Sequence, residues 1–181
     1  MYRSILVPLD GSTFGEQALP LALSIARRAG ASLQVVHVHV PLMPYDESLL
    51  TIDPRLNEQA RESERAYLDA VVERLSRIAP VPVTSALLEG PVAEALYEHT
   101  VTAGTNLVVL TTHGRGPLAR FWLGSVADEL VRRLPMPILL VRPQETVPDL
   151  AGEPVLQRML IPLDGSEFAE QILEPAMALG S

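Results

Sequence analysis

Five short apolar runs alternate with four helix-patterned stretches through residues 1–143, and that alternation leaves the chain few ways to fold. The runs are 4–9, 33–40, 81–88, 107–111 and 138–142. The first, fourth and fifth are nearly continuous in Val, Ile and Leu, the pattern of parallel strands covered on both faces. Strands separated by helices predict an open parallel sheet with helices packed on both sides. The first helix is expected to be capped by Ser12 or Thr13 and to end at Gly30. The second, residues 55–79, follows Asp53 and Pro54, an N-cap and a proline at the first helical position. Leu56, Ala60, Tyr67, Leu68, Val71, Val72, Leu75 and Ile78 form its inner stripe, and its many charges read as a solvated face. Pro82 cannot donate to a ladder and assigns the third strand to a sheet edge.

The richest stretch chemically is 106–126. A buried strand breaks into a loop carrying Gly114 and Gly116, then closes on Gly124 and Ser125, where a helical pattern begins. Glycines let backbone approach an anion, and the unpaired N–H groups and positive dipole end of a helix hold its charge. The spacing resembles the nucleotide loop of the universal stress protein family: glycine, two residues, glycine, nine residues, glycine and then Ser or Thr. Gly114 takes the second glycine position, 115–123 are the nine, and Gly124 with Ser125 closes the pattern. Thr111 stands at the first glycine position. The resemblance covers 2–143 and agrees in the order of elements.

It implies an adenine nucleotide alpha hydrolase-like sheet with strand order 3-2-1-4-5. It also implies an adenine nucleotide (ATP, ADP or AMP), with or without Mg²⁺, held at the ends of the first and fourth strands. Gly124, Ser125 and Val126, with Gly114, Thr111 and Arg115, would surround the phosphates. Asp10 would hold ribose or a metal on the phosphates, and Pro8, Leu9, Val38 and Leu110 would enclose the base. Turn chemistry alone leaves Asp10 open between two roles. It ends a strand where open α/β sheets bind ligands, yet an Asp before Gly also bonds its own turn. Arg115 and Arg120 can reach phosphate or remain surface residues, and His113 is the other titratable group nearby. No catalytic residue is assigned, since no general base or activated nucleophile is visible, and any hydrolysis is expected to be slow.

Other chemistries fit less well. Gly114, Gly116 and Ala119 match a dinucleotide fingerprint, but Pro117 interrupts it and it follows a late strand. No P-loop sequence occurs. An adenylate-forming or nucleotidyl-transfer enzyme would carry a signature that this chain lacks, and a receiver-like phospho-switch needs a late lysine where the chain has none. An assembly module of the same fold that binds no nucleotide is the alternative that Thr111 favours.

Fourteen Lys plus Arg against 22 Asp plus Glu give a formal charge of −8, which disfavours nucleic acid and anionic membranes as partners. Without cysteine there is no disulfide framework or thiolate metal site. No signal peptide or membrane-length apolar run appears, so the expectation is a cytoplasmic protein. His37 and His39 share one face of the second strand; lacking an evident third ligand, they read as structural. The fifth strand, an apolar edge in the family order, is expected to pair in a homodimer.

A repeat closes the chain. Residues 159–173 repeat 5–19 at an offset of 154, so that Asp164 echoes Asp10. The expectation is a nucleotide-binding domain at 1–143, a linker at 144–157, and the first βα piece of a truncated second copy at 158–181 that packs on another subunit.

Overall fold

The computed structural model describes residues 2–41, 54–112, 124–143, 148–152, 154 and 156–180. Strands β1 (Ser4–Pro8), β2 (Ser32–His39), β3 (Val83–Glu89), β4 (Leu107–Thr111) and β5 (Ile138–Val141) form one sheet. Its order is β3-β2-β1-β4-β5, and every pairing is parallel. The expected architecture is therefore the observed one, with β3 on one edge and β5 on the other.

Alternation along the strands builds two cores. Ile5, Val7, Leu9, Leu33, Val35, Leu107 and Val109 face α1 (Leu19–Ala29) and α2 (Pro54–Ile78), whose Leu23, Leu68, Val71 and Leu75 complete that layer. Leu6, Val36, Val38, Val108 and Leu110 face α3 (Val92–Thr102) and α4 (Ser125–Arg133), with Leu96, Ala127 and Leu130. Crossovers of one hand place helices on both faces, so all three inner strands are covered twice. The expected inner stripe of α2 holds except at its start, where Leu56 is exposed.

Entry into α1 is more segmented than its periodicity predicts. A 3₁₀ turn, Gly15–Ala18, precedes the α-helix, which starts at Leu19 with Pro20 in its first turn. Ser12 caps this entry through a 3.0 Å bond from the Gly15 amide to its Oγ. Glu16 does not close a capping box with Thr13. Its carboxylate accepts from Tyr67 at 3.1 Å and from Arg74 at 2.7 Å, tying the 3₁₀ turn to α2. At the other end Gly30 adopts φ +62°, the left-handed cap that a side chain resists.

In the 144–157 stretch, Leu150 is buried in the α1 and α2 core, and Ser24 of α1 donates to the Pro154 carbonyl at 3.1 Å. Beyond it the repeat reproduces its turn but not its strand. Ser166 N bonds Asp164 Oδ1 at 2.9 Å, and Ala169 N bonds Ser166 Oγ at 3.1 Å, matching Ser12, Asp10 and Gly15 in the first copy. Two short helices follow, α5 (Glu167–Glu170) and α6 (Leu173–Gly180). Residues 158–163 join no sheet among the described residues. Leu6 is 1% exposed, and Leu160, its counterpart, is 92% exposed. The end of the repeat docks on its own domain: Tyr2 donates to the Pro175 carbonyl at 3.0 Å, and Ala176 is buried.

Candidate functional site

The ends of β1, β2 and β4 and the start of α4 converge at the C-terminal edge of the sheet. Ile5 pairs with Leu107 and Leu6 with Val108. Continuing that register sets Pro8 level with Leu110 and Asp10 level with Thr112. Thr112 is the pivot: its amide donates to the Val141 carbonyl at 3.0 Å, and its carbonyl accepts from the Gly124 amide at 2.6 Å. The start of α4 is thereby tied to the end of β4. Gly124 has φ −68° and ψ 157°, a conformation open to any residue. Its requirement is space, since a Cβ there would sit 3.1 Å from the Thr112 carbonyl oxygen.

Gly124 is also the N-cap of α4, and no side chain caps the helix among the described residues. The first-turn amides of any helix lack intrahelical partners, so this end offers N–H groups and the positive dipole pole. Ser125 is exposed and Val126 half-buried against the α3 and α4 core. A neighbouring cleft of about 240 Å³ between the starts of α3 and α4 is lined by Pro91, Val92, Ser125 and Val126. Glu94 and Glu129 also line it and make it a poor seat for phosphate.

Asp10 resolves toward its own turn. Oδ1 accepts from the Ser12 amide at 2.9 Å and from the Ser12 hydroxyl, while Gly11 at φ +76° carries the chain through the bend. A Cβ on Gly15 would strike Oδ1 at 2.5 Å, so the carboxylate lies flat on the glycine. Asp10 is nonetheless exposed, and both bonds end on one oxygen. In the repeated turn, hydrogen bonds from Ser166 hold the Asp164 carboxyl below the usual carboxylate range.

The residues expected around the base divide between two faces. Val38 and Leu110 are buried together on the α3 and α4 side, whereas Leu9 packs on the α1 and α2 side. Pro8 is half-buried at the strand end between them. Thr111 is half-buried at the end of β4. Gly114 and Arg115, with His113, Gly116 and Arg120, lie outside the described residues.

Residue periodicity misplaced one side chain. Glu64, read as part of the solvated face of α2, sits over β2 and touches both histidines. It lies 2.8 Å from His39 Nδ1 and 3.6 Å from His37 Nε2. The signal was present as two histidines on one strand face and an acid on the following helix, but only the packing of α2 on β2 joins them. Tyr67 stacks edge-on against His37 at 6.4 Å. Burial, then the neighbouring Glu16 carboxylate, push the Tyr67 phenol well above its ordinary range. On the other side of the sheet, burial lowers His99, which bonds Gln34 Oε1 at 2.8 Å and is not a free surface residue. Among the described residues, no group of three His, Asp or Glu side chains is arranged to hold a metal ion. No described helix is long and apolar enough to cross a membrane.

Comparison with known proteins gives a consistent result. The model of the Universal stress protein family matches residues 1–142. A universal stress protein of Thermus aquaticus is 31% identical over 143 residues, covering 78% of this chain and all of that protein. Among solved structures, a universal stress protein in complex with cAMP superposes with a TM-score of 0.59 at 23% identity, covering 79% of this chain and 98% of that one. An Arabidopsis thaliana family protein with AMP bound gives 0.58 at 16% identity, covering 79% and 93%.

Proposed function

The chain belongs to the universal stress protein family, and from that premise we propose that it is an adenine-nucleotide-binding module of stress response or signalling. The observation that carries the proposal is the start of α4: a helix end with no side-chain cap among the described residues, whose N-cap glycine lies close against the Thr112 carbonyl. The complexes of structural neighbours with cAMP and AMP support the ligand class.

In this reading the amides of Gly124, Ser125 and Val126 and the Ser125 hydroxyl hold the phosphates, assisted by Gly114 and Arg115. Asp10 keeps Oδ1 on Ser12 and offers its other oxygen to ribose, or to Mg²⁺ carried in on the phosphates. Pro8, Val38 and Leu110 enclose the base, Leu9 lies alongside Asp10, and Thr111 borders the ribose or phosphates. The nucleotide is ATP or its AMP and ADP products, and any hydrolysis is slow, because the described residues near the seat supply no general base. We assign the site to 1–143, and to a cytoplasmic protein that dimerises through the β5 edge. Residues 158–181 use their exposed apolar run, Met159 to Leu163, against another subunit, while the end of α6 stays on its own domain.

Calorimetric titration with ATP and Mg²⁺ tests this, with Gly124→Asp as the control. The proposal expects saturable binding that the substitution abolishes by adding bulk and negative charge at the seat. No measurable affinity in the unsubstituted protein would favour the assembly reading, in which Thr111 at the first glycine position marks a seat that has lost its ligand.

A further inference from the structure

The Leu9 peptide, which carries Asp10 into the site, is fixed to β2 at both ends. Its amide donates to the Val36 carbonyl at 2.8 Å, and its carbonyl lies 2.8 Å from His37 Nδ1. The remaining nitrogen of His37, Nε2, faces Glu64 Oε1 at 3.6 Å, and His39 Nδ1 meets the other oxygen of Glu64 at 2.8 Å.

Donor and acceptor counting assigns the protons. A carbonyl only accepts, so His37 Nδ1 carries hydrogen in either protonation state, and Nε2 is the nitrogen that titrates. A carboxylate also only accepts. Neutral His37 therefore sets a lone pair against Glu64, and the imidazolium replaces that with an attractive N–H. His39 donates to Glu64 through Nδ1, while its Nε2 is buried without a partner among the described residues, in a residue 2% exposed. A second proton on His39 would bury an N–H with no acceptor among the described residues, whereas His37 Nε2 has Glu64 before it.

We infer that His37 is a positioning residue whose protonation clamps the Leu9 and Asp10 edge to β2 and α2, so that adenine-nucleotide affinity rises as pH falls. This rests on the nucleotide-binding reading above. The remaining charged groups around the cluster are already engaged. Glu16 of the 3₁₀ turn is bonded by Tyr67 and Arg74 of α2, Arg61 of α2 pairs with Glu89 of β3 at 2.6 Å, and Asp10 is held by Ser12. Glu64 is thus the carboxylate that reads the charge on His37. A charge-assisted bond to the Leu9 carbonyl is stronger than the neutral one, which couples the proton to the peptide bearing Asp10.

The test is cyclic AMP affinity across the imidazole range, about pH 5 to 8, in the full chain and in His37→Asn and Glu64→Gln. Its phosphodiester keeps one charge over that range, so the slope belongs to the protein. The full chain should bind about threefold tighter at the acid end, the size of a partly exposed ion pair. His37→Asn should give a flat profile, since Asn still donates to the Leu9 carbonyl but takes no proton, and Glu64→Gln, which removes the carboxylate facing Nε2, a shallower one. A flat profile in the unsubstituted chain, or an unchanged slope in both variants, overturns the inference. Absence of cyclic AMP binding at every pH would leave the nucleotide reading to the ATP titration above. The clamp is then decided by NMR of the free protein. The Leu9 and Asp10 amides should follow the His37 ring signals as pH changes, and should lose that response in His37→Asn. Amides that ignore the ring would overturn it.

Discussion

Ser12→Ala and Ser166→Ala remove the same hydroxyl from two copies of one turn, and the structure predicts unequal costs. Each serine donates its amide to the aspartate two residues back and accepts from an amide three residues on. Ser12 is 4% exposed, whereas Ser166 lies open to solvent. Losing a capping hydroxyl costs about 1 kcal/mol. At Ser12 the Gly15 amide is left buried without an acceptor and Asp10 loses its hydroxyl donor, which raises the total to about 2–3 kcal/mol. At Ser166 water replaces the hydroxyl, and the cost is about 0.5 kcal/mol or less. For a domain of this size about 1 kcal/mol moves Tm by roughly 2–4 °C, so Ser12→Ala should lower it by about 4–12 °C and Ser166→Ala by about 2 °C or less. Differential scanning calorimetry reads both. Equal shifts, or a neutral Ser12→Ala, would refute the claim that desolvation, and not turn geometry, sets the value of this bond.

Three further outcomes are expected. Burial lowers His99, so its contribution to stability is present above the ordinary imidazole value of 6.5 and is lost as pH falls through the lowered value; urea midpoints should drop on that acid limb, and His99→Gln should lessen the drop. Tyr67 is raised, so its contribution is present below the ordinary phenol value of 10.0 and is lost as pH rises beyond it; spectrophotometric titration should find one phenol ionising far later than the rest, absent in Tyr67→Phe. Leu140, an exposed residue of the β5 edge strand, should be the contact most sensitive to charge; Leu140→Arg should turn a dimer into a monomer in sedimentation if the β5 edge pairs copies, and an unchanged mass would exclude that edge.

Much of the fold was written in the strand runs themselves. A continuous apolar stretch such as 5–7 has no exposed face to offer, so it can only be an inner parallel strand, and Pro82 marks an edge because its ring has no donor. The same run at 159–161 shows the limit of that logic: identical patterning is buried in one copy and exposed in the other, because β2 and β4 flank only the first. Asp10 was undecidable from residues alone, since a turn aspartate and a ligand aspartate need the same neighbours; the structure shows that one of its oxygens serves the turn. Glu64 was missed because helical periodicity ranks a residue by its own side chain, whereas its burial is decided by two histidines on another element. Thr112 was passed over because its contribution is a carbonyl, and backbone groups carry no sequence signature.

The central claim is that the first-turn amides of α4, beside the Leu9 and Asp10 peptide, form the nucleotide seat. Amide NMR of the labelled chain during addition of ATP and Mg²⁺ addresses it directly. The account predicts saturable shifts largest at Gly124, Ser125 and Val126, with Leu9 and Asp10 next and β3 unmoved. Shifts confined elsewhere, or still amides at Gly124–Val126 in a nucleotide-saturated sample, would contradict it.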